Sequence, residues 1–157
     1  MKTYHSATYG DLMLGQVKER IVQFMKEEEK NRYQVIIGCD SQKKQQGTDF
    51  VTAIIVHRIG VGGIYFWERT YDTKIRVLKQ RIFEEATRSL TTAQEFFELF
   101  KNNGIACFDF EIHVDMGKTG PTREWITEVV SMIRGSGFVV KTKPYSYGAS
   151  KVADRHT

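Results

Sequence analysis

Residues 33–40, YQVIIGCD, decide how the rest of the chain is read. Val35, Ile36, Ile37 and Cys39 make a short apolar run, the pattern of a strand buried on both faces. Asp40 closes the run, and Ser41, Gln42, Lys43 and Lys44 follow it. A carboxylate at the tip of a buried strand must keep water or find a partner, because burying a bare charge is costly. A second short run, FEIHVDMG from Phe110, ends the same way on Asp115.

Working outward from these two strands, the chain divides into alternating elements. LGQVKERIVQFMKEEEKN places Leu14, Val17, Ile21, Phe24 and Met25 at helical spacing, with an acidic run, Glu27 to Glu29, near its end. DFVTAIIVHRIG and GIYFWERTYD flank Gly60, Gly62 and Gly63, a hairpin signature. Thr73 to Asn103 lacks Pro and Gly and stops at NNG, which predicts one long helix. GPTREWITEVVSMIRGSG predicts a helix with Pro121 in its first turn and Gly135 near its end. FVVKTK reads as a strand and YGASKVADRHT as a short terminal helix. The order is βββαβαβα after an N-terminal helix. Hairpin-linked strands pair antiparallel and helix-linked strands pair parallel, so the sheet is mixed. Tyr65, Trp67 and Tyr71 alternate along the third strand, where they line either a sheet edge or a covered face.

If the first and fourth strands are parallel neighbours, Asp40 and Asp115 emerge at one edge of the sheet, where open α/β sheets bind ligands. Carboxylates that close repel unless a cation or a shared proton neutralises them. A hard divalent ion such as Mg²⁺, which takes oxygen ligands, suits them; the plainer alternative is that each aspartate caps its own turn. On the long helix, with Ile82 at zero and about 100° per residue, Ile75, Leu78, Ala86, Ser89, Ala93, Phe97 and Phe100 fall within about 60°. Glu85 falls at about −60°, at the margin of that stripe, and Glu84 at about 200°, towards solvent. Glu85 therefore needs a partner, either the same cation or a nearby Arg or Lys. Asp154, among Gly148, Ala149, Ser150 and Ala153, is a fourth acid that fits a solvated surface as readily as a site.

The 157 residues suit a single domain, 41% of them hydrophobic and 27% charged. Two cysteines, Cys39 and Cys107, form neither a metal-ligand pair nor a disulfide framework, and read as reduced thiols of a cytoplasmic protein. MKTYHSATYG has no apolar core of a signal peptide, and no run is long enough to span a membrane. The net charge is +4. Lys141, Lys143, Lys151 and Arg155 face only Asp154 in the last stretch, and Lys74, Arg76, Lys79 and Arg81 form an acid-free run. Such patches suit a phosphate backbone, or simply water.

IIGCDSQ, FVTAIIVHRIG, IHVDMG, GFVVKTKP and ASKVADRHT, spread over nearly the whole chain, resemble the YkuK family of bacterial ribonuclease H-like proteins. The resemblance implies an α/β, RNase H-like domain over residues 1–157. Its mixed five-stranded sheet, strand order 3-2-1-4-5, would be flanked by helices, with a helical extension over 1–31. It implies a nuclease using two Mg²⁺ or Mn²⁺ ions. Asp40 would bridge both, Glu85 and Asp115 would hold one, and Asp154 would complete the other. Such ions, about 3.5–4 Å apart, activate the attacking water and stabilise the leaving oxygen. Ser41 and Gln42 would offer donors to a phosphate or sugar hydroxyl. Lys43, Lys44, Lys118, Lys151 and Arg155 would line the substrate path. His156 would assist proton transfer, unless it is only a frayed terminal residue. The expected partner is RNA, an RNA–DNA hybrid or structured DNA; oligomeric state is open. No aromatic stacking platform is visible in the sequence.

Two other phosphate-binding readings fail. VDMGKTG resembles the phosphate loops of actin-like ATPases, which need two such domains. GKT at 117–119 lacks the earlier glycine of a P-loop, since position 112 is Ile. The remaining rival is an inactive RNase H-like module that binds nucleic acid or protein.

Overall fold

A computed structural model describes residues 2–100 and 108–146. The strands are β1 (Tyr4–Ser6), β2 (Gly10–Leu12), β3 (Tyr33–Lys44), β4 (Gly47–Arg58), β5 (Gly62–Asp72), β6 (Asp109–His113) and β7 (Val139–Lys141). The helices are α1 (Leu14–Glu27), α2 (Leu78–Phe100) and α3 (Ile126–Gly135), the last preceded by a 3-10 turn at Arg123–Trp125. The sheet has seven strands in the order β2-β1-β5-β4-β3-β6-β7.

The expected five strands thus become seven. The five read from sequence form β5-β4-β3-β6-β7, and the N-terminal residues add the other two. Residues 1–31 are not a purely helical extension. Tyr4–Ser6 and Gly10–Leu12 pair antiparallel, and His5 joins Trp67 of β5. Three-residue strands are too short to show a period of two, so they leave no pattern to read. They also cover β5 at Trp67, the middle of the Tyr65, Trp67 and Tyr71 row, where the His5 and Trp67 rings meet at 4.6 Å, tilted by 42°, while Tyr71 stays exposed.

Alternate residues of the strands face one core. Tyr33, Val35 and Ile37 of β3, Ile54 and Val56 of β4, Phe66 of β5 and Ile112 of β6 meet Val17 and Ile21 of α1, Ile82 and Phe96 of α2, and Val129 and Ile133 of α3. β4, held between β3 and β5, is buried on both faces along most of its length. The acidic end of α1 does not hang free. Tyr33 Oη donates to the Glu28 carbonyl at 2.9 Å, and Arg58 Nη2 donates to that of Phe24 at 2.6 Å. A cation at a helix C-terminus also complements its dipole.

Two boundaries differ from the sequence reading in ways that matter for the site. α2 begins at Leu78 rather than Thr73; Asp72 Oδ1 accepts from Lys74 N, and Ile75 O accepts from Thr48, which ties the bent approach to the sheet. Asp40 does not end its strand. β3 runs four residues further to Lys44, sustained by antiparallel pairing with β4 down to Lys44 opposite Gly47. SQKK is polar and would not form a buried strand alone; cross-strand pairing supplies what the apolar pattern lacks. The expected terminal helix, the NNG stop and Cys107 lie outside the described residues.

Candidate active site

β3 and β6 pair in parallel, from Gln34 opposite Asp109 to Ile37 opposite Ile112. Asp40 and Asp115 each stand three positions past the last pair, Asp40 still within β3 and Asp115 beyond the end of β6. Beyond Ile112 the chain no longer pairs with β3, so β3 continues with β4 alone and a notch opens beside it. The notch is a cleft of about 350 Å³ whose lining includes Asp40, Ser41, Arg81, Glu85, Asp115 and Lys143. Three acidic residues, from β3, α2 and the segment after β6, therefore line one cleft.

Glu85 is the buried member, with 8% of its surface exposed. The buried face of α2 comprises Ile82, Glu85, Ala86, Ser89, Thr92, Ala93 and Phe96, while Phe97 is half exposed. The stripe is therefore rotated towards Glu85 relative to the sequence reading, which had put Phe97 in it and Glu85 at its margin. Glu84 turns aside to pair with Arg88 at 3.0 Å. Ser41 Oγ donates to Glu85 Oε2 at 2.5 Å, and Arg81 donates from Nε to Ser41 Oγ and from Nη2 to the Ser41 carbonyl, both at 3.1 Å. Burial pushes the Glu85 carboxyl up to about 8. The Ser41 hydrogen bond opposes this, the charge of Asp40 adds to it, Arg81 opposes it and Asp115 adds again. Two of its perturbing charges are thus the two aspartates predicted to share its site.

The aspartates are held differently. Asp40 Oδ1 accepts from the Ser41 amide at 2.9 Å. Asp115 forms an ion pair with Lys143, Nζ to Oδ1 3.0 Å. Lys143 is placed by a continuation of the parallel pairing past the last strands: Val114 N donates to Lys141 O at 3.0 Å and Lys143 N to Met116 O at 2.7 Å. The two chains approach closely here; a Cβ on Gly117 would lie 3.2 Å from that of Lys143.

Arg81 and Lys143 are the site residues that the sequence reading missed. Arg81 had been counted only in a basic run, although it lies one turn before Glu85, the spacing at which helical side chains meet. Lys143 carried no comparable signal, since it reaches Asp115 through a long-range pairing. Of the expected substrate residues, Ser41 lines the cleft. Gln42, Lys43 and Lys44 run on along β3 beyond it, Lys44 approaching Asp49 at 3.8 Å. Lys118 lies on the loop after Asp115 and lines the hollows beside the cleft. Asp154, Lys151, Arg155 and His156 lie outside the described residues.

The chemistry of the donor set fits a hard cation. All three carboxylates offer oxygen, and Glu85 is buried beside two further acids, where positive charge would relieve the repulsion. Among the described residues no three His, Cys, Asp or Glu side chains form a ready-made cage; Ser41 and Lys143 engage Glu85 and Asp115 instead.

The profile of the family described as Ribonuclease H-like matches residues 16–157. The chain belongs to this ribonuclease H-like family. It is also 31% identical, over 98% of its length and 96% of the relative's, to the uncharacterized protein YkuK of Bacillus subtilis (strain 168). No solved structure matches it. Membership in the ribonuclease H-like family points to a nuclease-like or nucleic-acid-binding module. No helix among the described residues is long and apolar enough to cross a membrane.

Proposed function

We propose that this ribonuclease H-like chain is a metal-dependent nuclease that hydrolyses phosphodiester bonds at the cleft of Asp40, Glu85 and Asp115, with Asp154 as a fourth acid. The observation that carries the reading is the meeting of three carboxylates from separate elements in one cleft bordered by Arg81 and Lys143. Asp40, Glu85, Asp115 and Asp154 would hold Mg²⁺ or Mn²⁺, which supplies an activated water and stabilises the leaving oxygen when bound. The chain's own cations do the rest. Arg81 presents a guanidinium fixed through Ser41, a geometry suited to a phosphate oxygen. Lys143, more than half exposed, can exchange Asp115 for a phosphate. Positioning and charge neutralisation are what phosphoryl chemistry asks of a protein.

Incubation with labelled RNA, hybrid and branched DNA in Mn²⁺ tests the reading. Cleavage that Asp115→Asn abolishes supports it; cleavage indifferent to that change belongs to a contaminant and leaves the reading without support. A second reading, a binding module without catalysis, is favoured by the ion pair that already neutralises Asp115. Melting separates the two. A nuclease site gains stability from millimolar Mg²⁺ or Mn²⁺ by linkage, by about 2.7 kcal/mol at a hundredfold excess over Kd, and Asp40→Asn loses most of that gain. No shift in the wild type favours the binding module.

A further inference from the structure

The acid cleft does not end at Asp115. Gly117, Thr119, Gly120 and Lys143 line both this cleft and a neighbouring hollow of about 820 Å³. That hollow shares Lys118 and Thr142 with a third, of about 370 Å³, between α3 and β7. Through these shared residues the three hollows adjoin one another, from the carboxylates past the loop after β6 to α3 and β7, and together they offer one groove. Its charged residues away from the acids are all cationic: Arg81 and Lys143 at the cleft, Lys118 midway and Arg134 at the far end. Tyr145 stands at the middle hollow with 69% of its surface exposed, on a turn closed by Tyr145 N donating to Thr142 O at 2.8 Å. The far hollow sets Ile126, Val130 and Val140 among the polar side chains of Thr127, Ser131 and Thr142.

Resting on the nuclease reading, we propose that this groove binds a single-stranded segment of nucleic acid leading away from the acid cleft. Four cations in file match a phosphate backbone. An exposed tyrosine ring and a hollow with three aliphatic side chains beside hydroxyl groups match unstacked bases, their faces and their polar edges, which a duplex keeps inside its own stack. Each hollow has the size of a small-molecule site, enough for a nucleotide. Duplex recognition through the backbone alone would leave the ring and the aliphatic side chains without a role.

Fluorescence anisotropy in EDTA, where no cleavage occurs, tests the groove apart from catalysis. Labelled single strands of roughly 16 nucleotides are compared with a blunt duplex of the same length. The single strand is expected to bind at least about tenfold tighter. Tyr145→Ala is expected to weaken it about 5- to 50-fold, and the double variant Lys118→Glu/Arg134→Glu to weaken it further and flatten its salt dependence. All three side chains are exposed, and far-ultraviolet circular dichroism checks that the variants remain folded. Equal or tighter binding of the duplex overturns the proposal, as does single-strand binding that neither groove variant affects. Loss of cleavage with groove binding intact would count against the nuclease reading alone.

Discussion

Glu85 concentrates the energetics of the site in one side chain. Its carboxyl is raised from 4.5 to about 8, chiefly by burial. In metal-free protein between these values the folded state keeps a proton that the unfolded chain has released. Stability therefore falls as pH rises through this window, is unpenalised below 4.5 and carries the full penalty above 8. Glu85→Gln keeps an acceptor for Ser41 Oγ and removes the titration. In EDTA the variant should match wild type near pH 4.5 and melt higher near pH 8, by an amount on the order of a few kcal/mol. Thermal melts across that range check it, and parallel pH profiles would refute it. This residue was half legible in the sequence. Helical geometry separated Glu85 from Glu84, but the rotation that buries it depends on how α2 meets β3, which no local pattern encodes. Arg81 shows the same limit: its spacing from Glu85 was visible, while its bonds to Ser41 require the strand to be in place.

Elements are fixed here by pairing as much as by pattern. The apolar runs of β3, β4 and β5 were legible because burial demands Val, Ile and Phe at their inward positions. The polar last third of β3 was not, because its order comes from β4. Gly47, opposite Lys44 at the start of β4, shows how tight that arrangement is. A Cβ there would lie 2.5 Å from Asp72 O and 2.9 Å from Thr73 Cα, both backbone atoms. Gly47→Ala should cost roughly 2 kcal/mol, a fall of about 4–8 °C in Tm. Gly15, in the first turn of α1, has nothing within 4 Å of its added Cβ. Gly15→Ala should be neutral or raise Tm slightly, since alanine favours the helix by up to about 1 kcal/mol. Differential scanning calorimetry of the two variants reads opposite signs if close backbone approach, rather than glycine content, is what matters at position 47.

At the scale of the whole molecule, the sheet separates stability from chemistry. The β1–β2 hairpin lies at one edge, outside β5, and the acid cleft opens at the junction of β3 and β6 on the far side of β4. The hairpin buries Tyr4 completely and Leu12 nearly so, and it covers the edge of β5 at Trp67. Exposed edges invite pairing with other chains. Deleting residues 1–12 should therefore lower Tm and produce concentration-dependent association, read by light scattering. Nucleic-acid affinity per folded chain should persist, because no residue of the cleft or groove lies in the hairpin. A truncated protein that stays monomeric at the parent Tm would show that β5 needs no cover. One that loses binding while still folded would show that the hairpin sets the geometry of the β3–β6 notch across the intervening strands, a coupling that sheet order alone does not predict.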